Sequence, residues 1–180
     1  MRKLNQIMLL IMTVSLVTLT SCSKDDDGGS GGNAPSGTLT AKVDGTNYQS
    51  MEISSSATVS SNPSGQSLII IATNSDGNAF SFTILGYDGV GTYSFDGSVS
   101  TGVNVASYSE TTVDLSNPLN SETKLWQAPY ENLAAGTISI SEETDTKLIG
   151  TFEFNGKNVG GDQSIKNITN GSFNLGKQTL

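Results

Sequence analysis

The chain has 180 residues with 17 acidic against 9 basic side chains, a formal net charge of −8, and no histidine. Lys42, Lys124, Lys147, Lys157, Lys166 and Lys177 are scattered rather than clustered, so no basic patch is available to displace counterions from nucleic acid or an anionic surface. Without His there is no Ser-His-Asp triad, no imidazole base and none of the usual Zn²⁺ or Cu²⁺ ligand sets.

At the N-terminus, Arg2 and Lys3 precede an apolar run over residues 7–19 that ends in Leu19-Thr20-Ser21-Cys22. A charged start, a short apolar stretch and small residues before a cleavage point are the parts of a secretory signal peptide. The run is shorter than the roughly 18–20 residues a stable spanning helix needs. Leu19-Thr20-Ser21-Cys22 resembles the lipobox of bacterial lipoproteins. The resemblance implies a diacylglyceryl group on the Cys22 sulfur, cleavage just before Cys22, and an acyl chain on the new amine. It implies no other cofactor. With several acyl chains, each buried CH₂ contributing about 0.8 kcal/mol, such an anchor is effectively stable.

Cys22 is the only cysteine, so neither a disulfide within the domain nor a thiol nucleophile remains once it is lipidated. Ser23-Lys24-Asp25-Asp26-Asp27 follows at once, and Lys24, Asp25, Asp26 and Asp27 resemble the lipoprotein export signal of the Bacteroidetes. That resemblance implies recognition by the lipoprotein export machinery and an outer-membrane location facing the exterior, with the periplasmic face as the alternative. Residues 28–37 are Gly, Ser, Asn, Ala and Pro, which have almost nothing to bury and read as a flexible tether. The expected organisation is therefore a signal peptide over 1–21, an anchor and linker over 22–37, and one domain over 38–180.

That domain reads as all-β. Residues 39–43 alternate, and Asp44-Gly45 is a hairpin signal leading into 46–48. Residues 56–60 form a weak strand. Leu68-Ile69-Ile70-Ile71-Ala72 is apolar on both faces and reads as a central, doubly covered strand. Phe80, Phe82 and Ile84 alternate inward on the next strand, and Tyr93 and Phe95 begin another after a Gly-rich turn around Asp88. Residues 103–108 are a further strand. Glu110 to Pro129 is the least regular stretch, read as a long connection with one short strand near Leu125. Residues 137–141 and 148–154 pair as a hairpin, with Phe152 and Phe154 inward. Residues 165–175 form the last strand region, interrupted at Asn170-Gly171 by a hairpin turn or a bulge. About nine or ten short strands predict a single antiparallel β-sandwich, with a flattened, lipocalin-like barrel as the alternative.

Ala41-Lys42-Val43-Asp44-Gly45, Gly91-Thr92-Tyr93, Gly136 to Ile140, Gly150 to Phe154 and Ile168 to Phe173 resemble, in order, an uncharacterised domain family of Bacteroidetes outer-membrane lipoproteins. The resemblance implies a fold and a compartment. It transfers no catalytic residue.

Candidate chemistry is sparse. Ser121 and Lys124 have the Ser-x-x-Lys spacing of some acyl-transfer enzymes but lack their companion motifs. Glu110, Asp114, Glu142, Glu143 and Glu153 read as surface acids, with nothing to place two of them across a sugar. Asp76, Asn78 and Asp88 lie in turns, without the Asp-x-Asp-x-Asp-Gly loop of a dedicated Ca²⁺ site. No catalytic or metal residue is assigned. Trp126 and Tyr130, in the irregular stretch where binding residues tend to sit, are the candidates for stacking on a sugar or small ligand, with packing in the core or at a strand edge as the other reading. The expected role is a non-enzymatic interaction or structural module with a protein or glycan partner. The alternative is a glycan- or small-ligand-binding accessory of a surface uptake system.

Overall fold

The computed structural model describes residues 34–180 apart from Ser64, Ser100 and Thr101. The expected signal peptide, Cys22 and the Lys24-to-Asp27 run lie outside these residues. Eleven strands follow one another: β1 (Thr38–Val43), β2 (Thr46–Gln49), β3 (Ser55–Asn62), β4 (Gly65–Thr73), β5 (Ala79–Leu85), β6 (Gly91–Asp96), β7 (Val105–Thr112), β8 (Glu122–Ala128), β9 (Ala134–Glu143), β10 (Lys147–Lys157) and β11 (Ile165–Thr179).

They form one mixed sheet in the order β2-β1-β11-β3-β4-β5-β7-β8-β10-β9-β6, and β10 also pairs with β11, tying the two halves of that order together. The sheet therefore folds back on itself as two layers, one built on β11, β10 and β9, the other on β3, β4, β5, β7 and β8. Two short pairings join the layers. The end of β11 runs parallel to β3 through Lys177↔Ala57 to Thr179↔Val59. The end of β10 meets β8 at the single pair Lys157↔Gln127. The all-β architecture agrees with the sequence. The strand count is one or two higher, and the β11–β3 pair makes the sheet mixed rather than purely antiparallel.

Aromatic rings fill the space between the layers, because inward positions alternate with outward ones along each strand. Phe82 on β5 sits 4.8 Å from Phe152 on β10, edge to face, and Phe80 lies 5.5 Å from Phe152. Tyr48 on β2 packs edge-on to Phe80 at 4.8 Å and donates its hydroxyl proton to the Ala72 carbonyl at 2.9 Å. At an open margin, Asn104 bridges strands that share no ladder. Its Oδ1 accepts from Leu85 N–H (2.9 Å) while its Nδ2 donates to the Ser94 carbonyl (3.1 Å).

Local turn chemistry works as the sequence indicates. Asp44 (φ 49°) and Gly45 (φ 83°) both take the left-handed conformations a two-residue hairpin needs. Asn170 (φ 52°) is a bulge rather than a turn, since β11 pairs with β10 on both sides of it while the register slips between Phe152 and Phe154.

Three segments differ from expectation. Leu68, Ile70 and Ala72 of β4 are fully buried, whereas Ile69 and Ile71 are 38% and 49% exposed, so β4 is covered on one face only. Among the described residues no third layer covers the outer face. Its other positions on β3, β5 and β7 are mostly Ser and Thr, which tolerate water. Second, residues 110–129 are not a loose connection: β7 extends to Thr112 and β8 pairs with it from Thr112↔Glu122 to Ala106↔Ala128. Third, the last residues of the compositional linker dock on the domain. Ala34 is buried, Gly37 N–H donates to the Asn174 carbonyl at 2.7 Å, and Thr38 closes a turn onto Pro35 at 2.8 Å.

Candidate functional site: a groove beside an open strand edge

Between Gln127↔Lys157, where β8 and β10 touch, and the start of β8, the two strands part. β8 is held by β7 on one edge through Glu122 to Ala128, but on its other edge only Gln127 has a ladder partner among the described residues. β10 ends at Lys157 and the chain turns away through residues 158–162. The space left between them is a groove of about 430 Å³.

One wall of the groove is made by consecutive residues of β8, Glu122 to Leu125, so it runs along the edge of the strand and not over a face. The other wall is Asn158 to Asp162. That wall is built by its own hydrogen bonds. Asn158 N–H donates to the Ser164 carbonyl at 2.9 Å, and Gln163 N–H returns to the Asn158 carbonyl at 3.1 Å. Asp162 Oδ1 accepts from Ser164 N–H (3.0 Å) and Ser164 Oγ–H (2.6 Å). These hydrogen bonds hold the Asp162 carboxyl below the usual carboxylate range, with Lys124 adding to the effect.

Behind the groove lies Trp126, which offers no exposed stacking platform. Trp126 is only 3% exposed, because its position on β8 alternates inward. Its Nε1–H donates to Ser164 Oγ at 2.9 Å, its ring lies 6.1 Å from that of Tyr108, and Lys166 Nζ sits 5.1 Å above it. Lys166 is also paired with Glu110 (3.1 Å) and Asp44 (3.3 Å). Burial alone would lower its pKa, but the two carboxylates outweigh that and hold it above the ordinary lysine value. The buried Trp126 indole is thus engaged within the protein through its Nε1–H, the Tyr108 ring and the Lys166 ammonium. Its fluorescence is accordingly expected to resist quenching by acrylamide in the folded state; quenching as efficient as that of free tryptophan would contradict this packing.

Tyr130 is half-buried at the margin of the core, with Lys157 Nζ 5.7 Å from its ring centre and Lys157 in turn paired with Glu131 at 2.8 Å. The structure does not bring Tyr130 and Trp126 together as a single exposed surface.

The other candidate residues serve packing and turns. Ser121 accepts from Asp114 N–H at 3.2 Å, and Lys124 lies on a strand, where residues three apart point to opposite faces, so the Ser-x-x-Lys spacing places no amine beside the hydroxyl. Asp114 caps the N–H groups of Ser116 and Asn117 at 2.9 and 3.0 Å. Glu142 pairs with Lys147 at 2.8 Å. Among the described residues no three His, Cys, Asp or Glu side chains gather as a metal-holding group.

One cluster was not visible in the sequence. Glu143, which reads as a surface acid, accepts from Lys177 Nζ at 3.0 Å and from Tyr87 Oη at 2.9 Å, and the Tyr87 ring packs 5.5 Å from that of Tyr93. Lys177 and Glu143 are distant in the chain, and only the end of β11 brings them together. Both carboxylate oxygens are spent on this packing.

The groove thus offers an unpaired row of backbone donors and acceptors, two carboxylates (Glu122 and Asp162), one ammonium (Lys124) and two exposed aliphatic side chains (Leu125 and Val159). Such a combination can grip an extended peptide segment. No curated protein and no solved structure matches this chain. A family model described as a domain of unknown function (DUF6252) matches residues 35–175, nearly the whole of the described β domain, and the chain belongs to that family.

Proposed function

We propose that this protein is a lipid-anchored lipoprotein of a bacterial outer membrane, displayed on the cell surface, whose β domain acts by binding and not by turnover. One observation carries the reading: Leu19-Thr20-Ser21-Cys22 closes a short apolar run that follows Arg2-Lys3, and Lys24-Asp25-Asp26-Asp27 comes directly after it. The tether then leads into a folded domain that starts by residue 34. The partner machinery is that of lipoprotein export. The groove beside β8 supplies the domain's candidate binding surface. The lack of histidine supports a non-catalytic role, since the commonest proton carrier near neutral pH is missing. A glycan-binding role through Trp126 has lost its support, because the indole is buried.

Cells expressing the full chain are expected to incorporate labelled palmitate into it, and Cys22→Ser is expected to abolish the labelling and release the protein from membranes. Equal labelling of the two proteins would refute the anchor. Protease shaving of intact cells tests display: digestion before lysis supports the outward face, and protection until lysis assigns the periplasmic one.

A further inference from the structure

The open edge of β8 begins Glu122-Thr123-Lys124, and this triplet is complementary to itself when two copies run antiparallel. We propose that the partner of this edge is a second copy of the same chain, joined β8 to β8 across a two-fold axis through Thr123. Three features converge on that pairing. The edge has no ladder partner from Glu122 to Trp126 among the described residues, and unpaired strand edges are templates for further strands. The groove alongside it leaves room between β8 and the 158–162 turn, so the edge is reachable. The side chains then select the register.

In a two-fold related antiparallel pair, directly opposite residues lie on the same face of the joined sheet. Centring on Glu122 would oppose two carboxylates, and centring on Lys124 would oppose two ammonium groups. Centring on Thr123 sets each Glu122 against the other copy's Lys124 and each Thr123 against its equivalent. Opposite charges and Thr–Thr pairs are the favourable cross-strand combinations, and like charges directly opposite are unfavourable. A lone edge lysine would blunt the edge against pairing. Glu122, two residues away on the same face, turns that protection into recognition. Among the described residues neither Glu122 nor Lys124 makes an ion pair, and the pull between Lys124 and Asp162 acts at longer range, so both side chains remain available to make it.

The contact is independent of the membrane anchor and can be read without it. In the purified full-length Cys22→Ser chain, held in detergent, Thr123→Cys becomes the only thiol. Cross-strand neighbours place Cα atoms about 4.5–5.5 Å apart, within the range a disulfide spans. Mild oxidation should therefore give a disulfide-linked dimer. Leu125→Cys in the same background should stay monomeric, because its opposite residue is Ser121. A monomeric Thr123→Cys protein, or equal cross-linking at 125, would overturn the register.

A charge exchange tests the same contact without a new thiol. Glu122→Lys alone and Lys124→Glu alone should each weaken the dimer about tenfold in sedimentation equilibrium, since each replaces two attractive pairs by repulsive ones. The double exchange should restore it. Circular dichroism of each variant confirms that the domain is folded, as these side chains are exposed on an edge. Unchanged association in both single variants, or no rescue in the double one, rejects the proposal.

Discussion

Phe82→Ala is expected to destabilise the domain by about 3–5 kcal/mol, the usual cost of emptying a fully buried aromatic site. Phe82 is 0% exposed and touches rings from both layers: Phe80 beside it on β5, Phe152 and Phe154 on β10, and Phe95 on β6. Each edge-to-face or offset pair adds about 0.5–1.5 kcal/mol beyond area burial, so truncation removes several such terms at once. The layers meet through strands that share no ladder at this point, so the backbone cannot follow the lost ring without breaking other pairs, and the cavity stays open. A domain of this size is stable by only roughly 5–15 kcal/mol, so the loss is a large fraction of the whole. Urea unfolding should show a lower midpoint with an unchanged slope. Ile71→Ala is the comparison, because Ile71 belongs to an equally apolar segment but faces water at 49% exposure. It should cost under about 1 kcal/mol. Equal losses for the two variants would mean that the inward and outward faces of this layer are wrongly assigned.

That pair of residues also marks where the sequence stops being legible. Phe80-Ser81-Phe82-Thr83-Ile84 alternates apolar with polar, so both the strand and its inner face can be read directly. Ile69-Ile70-Ile71 cannot be treated the same way. A run of β-branched residues says strand, but whether one face or both are covered depends on what the rest of the chain supplies. Here nothing is supplied to the outer face, and two isoleucines stay half in water. The stretch 110–129 failed for the converse reason. In β8 only Trp126 and Ala128 are buried, and Glu122, Thr123 and Lys124 look like loop residues because the strand stands at an open edge. The same openness that hid the strand creates the groove. Its opposite wall, Asn158 to Asp162, is joined to β8 by one residue pair between strands some thirty residues apart, and no local pattern encodes that. Trp126 sits in a stretch whose composition does not separate a binding position from a packed one, and its place two residues before another inward position on β8 puts it in the core. The Lys177–Glu143–Tyr87 cluster was unreadable for a similar reason, since its three members come from separate parts of the chain.

Alkaline pH should unfold the domain in a steep transition between about pH 10 and 12, driven by tyrosines that must stay protonated to remain buried. Tyr48, Tyr87 and Tyr108 are each 6% exposed or less. Burial pushes all three pKa values well above the ordinary tyrosine value, aided by the nearby Tyr108 for Tyr48, by the hydrogen bond and charge of Glu143 for Tyr87, and by the charge of Glu110 for Tyr108. The sign follows from proton binding. Below about pH 10 these phenols are protonated in both the folded and the unfolded chain, and their contribution to stability is fully present. Above it the unfolded chain releases protons that the folded chain keeps, so stability falls as pH rises. Each such tyrosine removes about 1.4 kcal/mol per pH unit, and three together remove about 4 kcal/mol per unit. Two units are therefore enough to consume a stability of roughly 5–15 kcal/mol near the lower half of that range. The experiment follows tyrosinate absorbance and near-ultraviolet circular dichroism together during titration. The buried tyrosines should ionise only as tertiary structure is lost, in one coincident step. Tyr108→Phe should make the dependence of unfolding free energy on pH shallower by one of the three contributions, whatever it does to stability at neutral pH, because phenylalanine has no proton to release. Gradual ionisation of all the tyrosines with the circular dichroism signal intact would show that these phenols are open to water and that the packing around them is looser than described.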